Sequence, residues 1–114
     1  MNSVELLRVA DVVDATPDSE WDMRSWFCGS AGFAISNYCK AYPDSPLKIE
    51  NSEYYDSIAP RFGGKESYAA IAIFFEISVM MAEYLFCPYR YGVFEKVTRQ
   101  EVSCRIRDYV KANQ

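Results

Sequence analysis

Histidine does not occur once in the 114 residues, and that absence removes more chemistry than any motif present supplies. Without an imidazole there is no base for a Ser-His-Asp or Cys-His nucleophile, and no ligand for H-E-x-x-H or mixed Cys/His zinc sites. The four cysteines, Cys28, Cys39, Cys87 and Cys104, stand 11, 48 and 17 residues apart with no C-x-x-C pair. Zinc-ribbon and thioredoxin-like readings therefore have no spacing to rest on, and neither a metal nor a cofactor is expected. Positive charge is scarce as well: 12 Lys+Arg against 16 Asp+Glu leave a net charge of −4 and a pI near 4.8. That is the wrong sign for a chain held on nucleic acid by phosphate contacts. No apolar run is free of charge over membrane-spanning length, because Glu76 and Glu83 interrupt residues 69–87. Two carboxylates at that depth cost about 5 kcal/mol or more, so the stretch reads as core helices. The opening residues Met1-Asn2-Ser3-Val4-Glu5 form neither a basic n-region nor an apolar h-region. The expectation is a cytoplasmic chain with reduced thiols.

What is present is half hydrophobic, one-quarter charged and 16% aromatic, a soluble globular composition. At 13.1 kDa the folded surface scales to roughly 6,400 Å² and the extended chain to about 19,000 Å². Two-thirds of the surface can be buried in one core, so residues 1–114 are expected to form a single domain. Charge is uneven along it. Up to Asp22 there are six carboxylates and one cation, Arg8, whereas the tail carries Arg90, Lys96, Arg99, Arg105, Arg107 and Lys111 against three carboxylates.

The periodicity predicts a mainly α bundle of about five helices with a short β-hairpin. Asn2 and Glu5 have capping-box spacing, and Leu6, Leu7, Val9, Ala10 and Val13 share one side of a helix over residues 3–14. Thr16-Pro17-Asp18-Ser19 ends it, and the acidic, aromatic segment that follows should lay Trp21 and Trp26 on the body. Gly32, Ile35 and Cys39 recur at helical spacing over residues 29–41, with Cys28 on nearly the same face, so both thiols read as core. Pro43 and Pro46 stop that helix, and residues 47–50 and 53–58 are expected to pair across Asn51-Ser52. Tyr68 to Glu76 is apolar almost all round, as a buried helix is. Ser78 caps a second helix, Val79 to Phe86, closely paired with it. Thr98-Arg99-Gln100-Glu101 is a capping box for a last helix whose apolar stripe is Val102, Ile106, Tyr109 and Val110, with Cys104 off the stripe.

Motifs that invite chemistry are incomplete. Cys28-Gly29-Ser30-Ala31-Gly32 lacks the first glycine of a nucleophile elbow and the second cysteine of a papain-like run. Arg61-Phe62-Gly63-Gly64-Lys65-Glu66-Ser67 brings two cations and flexible amides to a helix start, the elements of an anion cradle, without P-loop spacing. Asp18-x-Glu20-x-Asp22 imitates the start of a calcium loop and lacks its glycine and final glutamate. Tyr84, Tyr89, Tyr91 and Phe94 cluster with Arg90 and Lys96, a composition of protein interfaces and stacking sites.

In order along the chain, Cys28-Gly29-Ser30, Phe74-Phe75-Glu76-Ile77-Ser78, Ala82-Glu83-Tyr84-Leu85-Phe86 and Thr98-x-x-Glu101-Val102 before Arg105-Ile106 resemble a diffuse group of small uncharacterised helical proteins of phages and bacteria. The resemblance covers the last three-quarters of the sequence. It implies a compact helical fold and a phage or mobile-element origin, and supplies no activity. At Ser36-Asn37 the chain departs from that group, which often carries a glycine and a histidine there.

Size, acidity, the missing catalytic groups and the many aromatics lead to a non-enzymatic binding protein. The expectation is a phage-encoded inhibitor of a host defence system, an anti-CRISPR or other counter-defence factor acting by protein–protein interaction. Its expected partner contacts are Asp18, Glu20 and Asp22, presented as phosphate mimics to a basic, nucleic-acid-binding groove of a host protein. Phe86, Tyr89, Arg90, Tyr91 and Phe94 are expected in an aromatic interface that also forms a symmetric homodimer. The alternative is a sponge or sensor for a small nucleotide signal, with Arg61 and Lys65 on phosphate and Tyr54 on the base.

Overall fold

In the computed structural model, which describes residues 1–21, 27–28, 31–32, 34–53, 58–92 and 97–114, helix α1 spans Ser3–Ala15 and begins as its sequence demands. The Asn2 side chain accepts from the Glu5 N–H at 3.4 Å. Leu6, Val9, Ala10 and Val13 are fully buried along one side. The helix stops where Thr16 turns its hydroxyl back to the Val12 carbonyl at 2.8 Å, just before Pro17. Helix α5, Arg99–Ala112, lies along α1. Its Thr98 hydroxyl accepts from the Glu101 N–H at 3.2 Å, and Val102, Ile106 and Val110 are buried. Tyr109 is only partly so. Trp21, after the short 3-10 turn Asp18–Glu20, packs on the core and donates its indole N–H to the Val97 carbonyl at 3.0 Å. Trp26 lies outside the described residues.

The second helix is shorter than its periodicity suggests. Phe27–Cys28 (β1) pairs antiparallel with Ala31–Gly32 (β2), and α2 runs only over Ala34–Ala41. Gly29 and Gly32 are weak helix formers, and a spacing argument resting partly on Gly32 extends the helix too far. Within α2 Ile35 and Tyr38 are buried, as are Ser36 and Asn37, while Cys39 is partly buried and donates to the Leu47 carbonyl at 3.3 Å. The Cys28 side chain is outside the described residues.

The hairpin exists in a different register and with a third strand. Lys48–Asn51 (β3) pairs antiparallel with Ile58–Phe62 (β4), which pairs in turn with Lys65–Glu66 (β5). Pro60 sits opposite Ile49, inside β4. It is tolerated because β5 pairs only with Arg61 and Phe62, so β4 is still an edge on that side at Pro60. Gly63 and Gly64 have φ of 59° and 78°, the left-handed pair that a two-residue hairpin turn requires.

Helix α3, Ser67–Phe75, packs on β4, and α4, Val79–Phe86, follows after a bend of 104°. No single helix among the described residues is long and apolar enough to cross a membrane; α3 and α4 reach that composition only as a bent pair. A run of ring contacts joins the layers: Phe62 to Phe74 at 5.3 Å, Phe74 to Phe75 at 4.8 Å, Phe75 to Phe86 at 5.8 Å, and Tyr38 against both Phe74 and Phe75. The result is one helix-dominated core with a small antiparallel sheet. Its solvent-accessible surface, 6344 Å², matches the roughly 6,400 Å² expected for a compact chain of this mass.

Candidate functional site

Helix α4 is apolar nearly all round, a pattern that belongs to a buried helix, yet it is buried on one side only. Ala82, Leu85 and Phe86 face the core, while Val79, Met80 and Tyr84 are 46%, 68% and 42% exposed. Met80 and Tyr84 are one turn apart, so they form a single stripe. The 3-10 turn Pro88–Tyr91 continues from the end of α4 and leaves Tyr89 73% exposed.

Between this element and α5 lies a cleft of about 600 Å³. Arg105 organises it. Its guanidinium carbon stands 3.7 Å from the Tyr91 ring centroid and 4.3 Å from that of Tyr84, and Nη1 donates to the carbonyls of Tyr84 at 2.8 Å and Arg90 at 2.9 Å. Tyr91 in turn donates its hydroxyl to the Leu85 carbonyl at 2.5 Å. Burial pushes the Tyr91 phenol above its ordinary value against the opposing pull of Arg105, so it remains a donor. Glu101, Asp108 and Tyr109 also line the cleft. The cleft thus brings together tyrosine rings, one guanidinium and two carboxylates.

A second cleft of about 540 Å³ lies between the start of α1 and the end of α2. Here the groups answer one another. The buried Tyr38 donates to Glu5 Oε2 at 2.5 Å and lies 3.2 Å from the Ser45 hydroxyl, and Glu5 Oε1 pairs with Arg8 at 2.6 Å. Arg8 also sits 5.5 Å from the Tyr42 ring centroid. Burial and the Glu5 carboxylate raise the Tyr38 phenol. The network fastens α1 to α2.

The residues singled out from sequence fall in three places. Tyr89, Arg90 and Tyr91 are together on the 3-10 turn beside the first cleft, with Arg90 paired to Glu83 at 3.2 Å within the chain. Phe86, expected in the same aromatic patch, is fully buried in the core; Phe94 is outside the described residues. The acidic segment faces the basic helix: Asp11 and Asp14 pair with Arg107 at 2.9 and 2.6 Å, and Asp18 with Arg99 at 2.6 Å. Glu20 lies 4.0 Å from Lys40, and Asp22 is outside the described residues. The charge dipole of the sequence thus largely closes on itself in space.

Arg61 and Lys65 belong to the sheet. Arg61 pairs with Glu53 at 2.5 Å and Glu66 at 3.9 Å and reaches the Asn51 carbonyl, while Lys65 is opposite Phe62 across the glycine turn. The turn that resembled an anion cradle closes a hairpin, and Tyr54 is outside the described residues. Among the described residues no three His, Cys, Asp or Glu side chains gather as a metal site.

Sequence reasoning did not single out Arg105, Glu101, Asp108 and Met80. A signal was there for three of them: Glu101, Arg105 and Asp108 are spaced i, i+4, i+7 on the side of α5 away from its apolar stripe, where Cys104 also falls. Compared with known protein families, curated proteins and solved structures, the chain matches none.

Proposed function

We propose that this chain is a non-catalytic binding protein that docks a partner protein against the face made by α4, the Pro88–Tyr91 turn and α5. The observation that carries this reading is α4 itself: a helix apolar nearly all round, with Met80 and Tyr84 of its outer stripe left to solvent. Met and Tyr on a rigid helix are the residue types that dominate protein interfaces, and Tyr89 extends the surface. In its finer form the proposal makes the partner a host defence protein and the chain a phage-borne inhibitor that acts by occupying a surface. The aromatic face is favoured over phosphate mimicry as the contact, because Asp18 and its acidic neighbours already face cations of this chain.

The test pairs capture with function. Tagged wild-type protein and a Met80→Ala/Tyr84→Ala variant are used to retain partners from host lysate and to protect a phage or plasmid against host interference. The variant should fold as the wild type does, as circular dichroism verifies, with a modest loss of stability from removing the Tyr84 ring from Arg105, and should lose the captured partner and the protection together. A variant that keeps both removes this face as the contact.

A further inference from the structure

We infer that the cleft between α4 and α5 receives a basic amphipathic helix of the partner, whose cationic side chains one heptad apart meet Glu101 and Asp108. The inference rests on the docking reading above and names the chemistry of what docks. Around α5 the other acidic side chains have cations: Asp11 and Asp14 share Arg107, Asp18 has Arg99, and Glu83 has Arg90. Glu101 and Asp108 are exposed, line the cleft, and have no ion-pair partner among the described residues.

Arg105, the cation between them, does not satisfy them. Its Nη1 is committed to two backbone carbonyls and its plane to two tyrosine rings, so the cleft keeps two carboxylates against one guanidinium. Tyr84 and Tyr109 add apolar ring surface along which lysine or arginine stems can lie while their heads reach the carboxylates.

Spacing selects the shape of the ligand. Seven residues of helix put Glu101 and Asp108 about 10.5 Å apart along the axis, the distance between positions i and i+7 of a helix laid beside α5. A strand would present same-face side chains about 6.6 or 13 Å apart. The neighbouring stripe of Met80 and Tyr84 requires apolar side chains next to the basic ones, which an amphipathic basic helix has and a small polyamine lacks. A second copy of this chain would bring like charges together at Glu101 and Asp108, which opposes a symmetric contact here.

The probe is a synthetic helical peptide of about 18 residues with a leucine stripe flanked by two lysines at i and i+7. It is compared with the same peptide carrying its second lysine at i+5, and with spermidine. Binding is followed by fluorescence anisotropy and by the alkylation rate of Cys104, an exposed thiol on the cleft wall. The first peptide should bind, weaken with salt, and slow Cys104 alkylation by about threefold or more. Affinity should fall about tenfold or more for the i+5 peptide and for Glu101→Gln/Asp108→Asn, and stay unchanged for Glu76→Gln, an exposed carboxylate outside the cleft. Glu101→Gln retains the side-chain type of the α5 capping box, and circular dichroism verifies the fold of each variant. Equal binding of the two peptides, or full binding by the double variant, overturns the inference. Spermidine binding as tightly with the same Cys104 protection overturns it in favour of a small polycation. A silent peptide also overturns it, whereas the docking reading stands or falls separately on the Met80→Ala/Tyr84→Ala capture.

Discussion

Glu76 ends α3 at φ 57° and ψ 49°, a left-handed conformation that costs a residue with a Cβ about 1 kcal/mol. The geometry is that of a Schellman cap, with the Glu76 N–H on the Ile73 carbonyl at 3.3 Å and the Ile77 N–H on the Ala72 carbonyl at 3.0 Å. Glycine suits that position better, so Glu76→Gly should stabilise the chain by about 0.5–1 kcal/mol despite the extra freedom glycine has when unfolded. A urea melt checks it through the midpoint. Ser36 is the converse case: its hydroxyl is buried in α2 and finds no hydrogen-bond partner among the described residues. Ser36→Ala removes an unsatisfied group and adds helix propensity, and should raise stability by about 1 kcal/mol in the same measurement. Neither position was readable beforehand. A left-handed φ at a glutamate and a missing acceptor around a serine are consequences of neighbours, not of residue type.

At the scale of elements, Arg105 is the fastening between α5 and the end of α4. Arg105→Lys keeps the charge and loses the planar fork that both stacks on Tyr84 and Tyr91 and donates to two carbonyls. It should cost about 1–2 kcal/mol and reduce the tyrosine signal in near-ultraviolet circular dichroism. The α1–α5 pair makes a pH prediction. Burial lifts the Asp14 carboxyl, but hydrogen bonds from Ser103 and Arg107 and the charge of Arg107 outweigh it and hold the group below its ordinary 3.8. A folded-state value below the unfolded one means that the stabilisation is fully present above the unfolded value and is lost as pH falls through the folded one. Asp14→Asn should therefore flatten the fall in melting temperature below about pH 4, which thermal melts from pH 7 to pH 2 will show. Helices α1, α3, α4 and α5 could be read from sequence because caps and breakers bound them locally: Asn2, Thr16-Pro17, Ser78 and Thr98. The hairpin register could not. Pro60 reads as a breaker until β5 proves to stop short of it.

For the whole molecule the decisive event is the packing of α1 on α5, which sets the acidic start of the chain against its basic end. What negative charge lies in the cleft is Glu101 and Asp108, and because these repel their own copies, the protein should sediment as a monomer at physiological salt. A dimer in analytical ultracentrifugation that survives Met80→Ala/Tyr84→Ala would place self-association elsewhere on the surface. A dimer abolished by that variant would mean that the apolar stripe outweighs the repulsion of the carboxylates.

Composition and local pattern were enough for the number of the helices, for the approximate limits of all but α2, for excluding nucleophile and zinc chemistries that need histidine, and for the aromatic emphasis of residues 84–91. These depend on residue type and on neighbours within a turn or two of helix. Tertiary packing alone decided which side of the apolar helix α4 faced water, that Phe86 went inward while Tyr89 did not, and that Arg61 met Glu53 and Glu66. It also decided that Asp18 met Arg99 while Glu101 and Asp108 met no cation among the described residues. Each of these depends on which distant segment arrives beside a side chain, and burial and charge pairing are properties of that meeting.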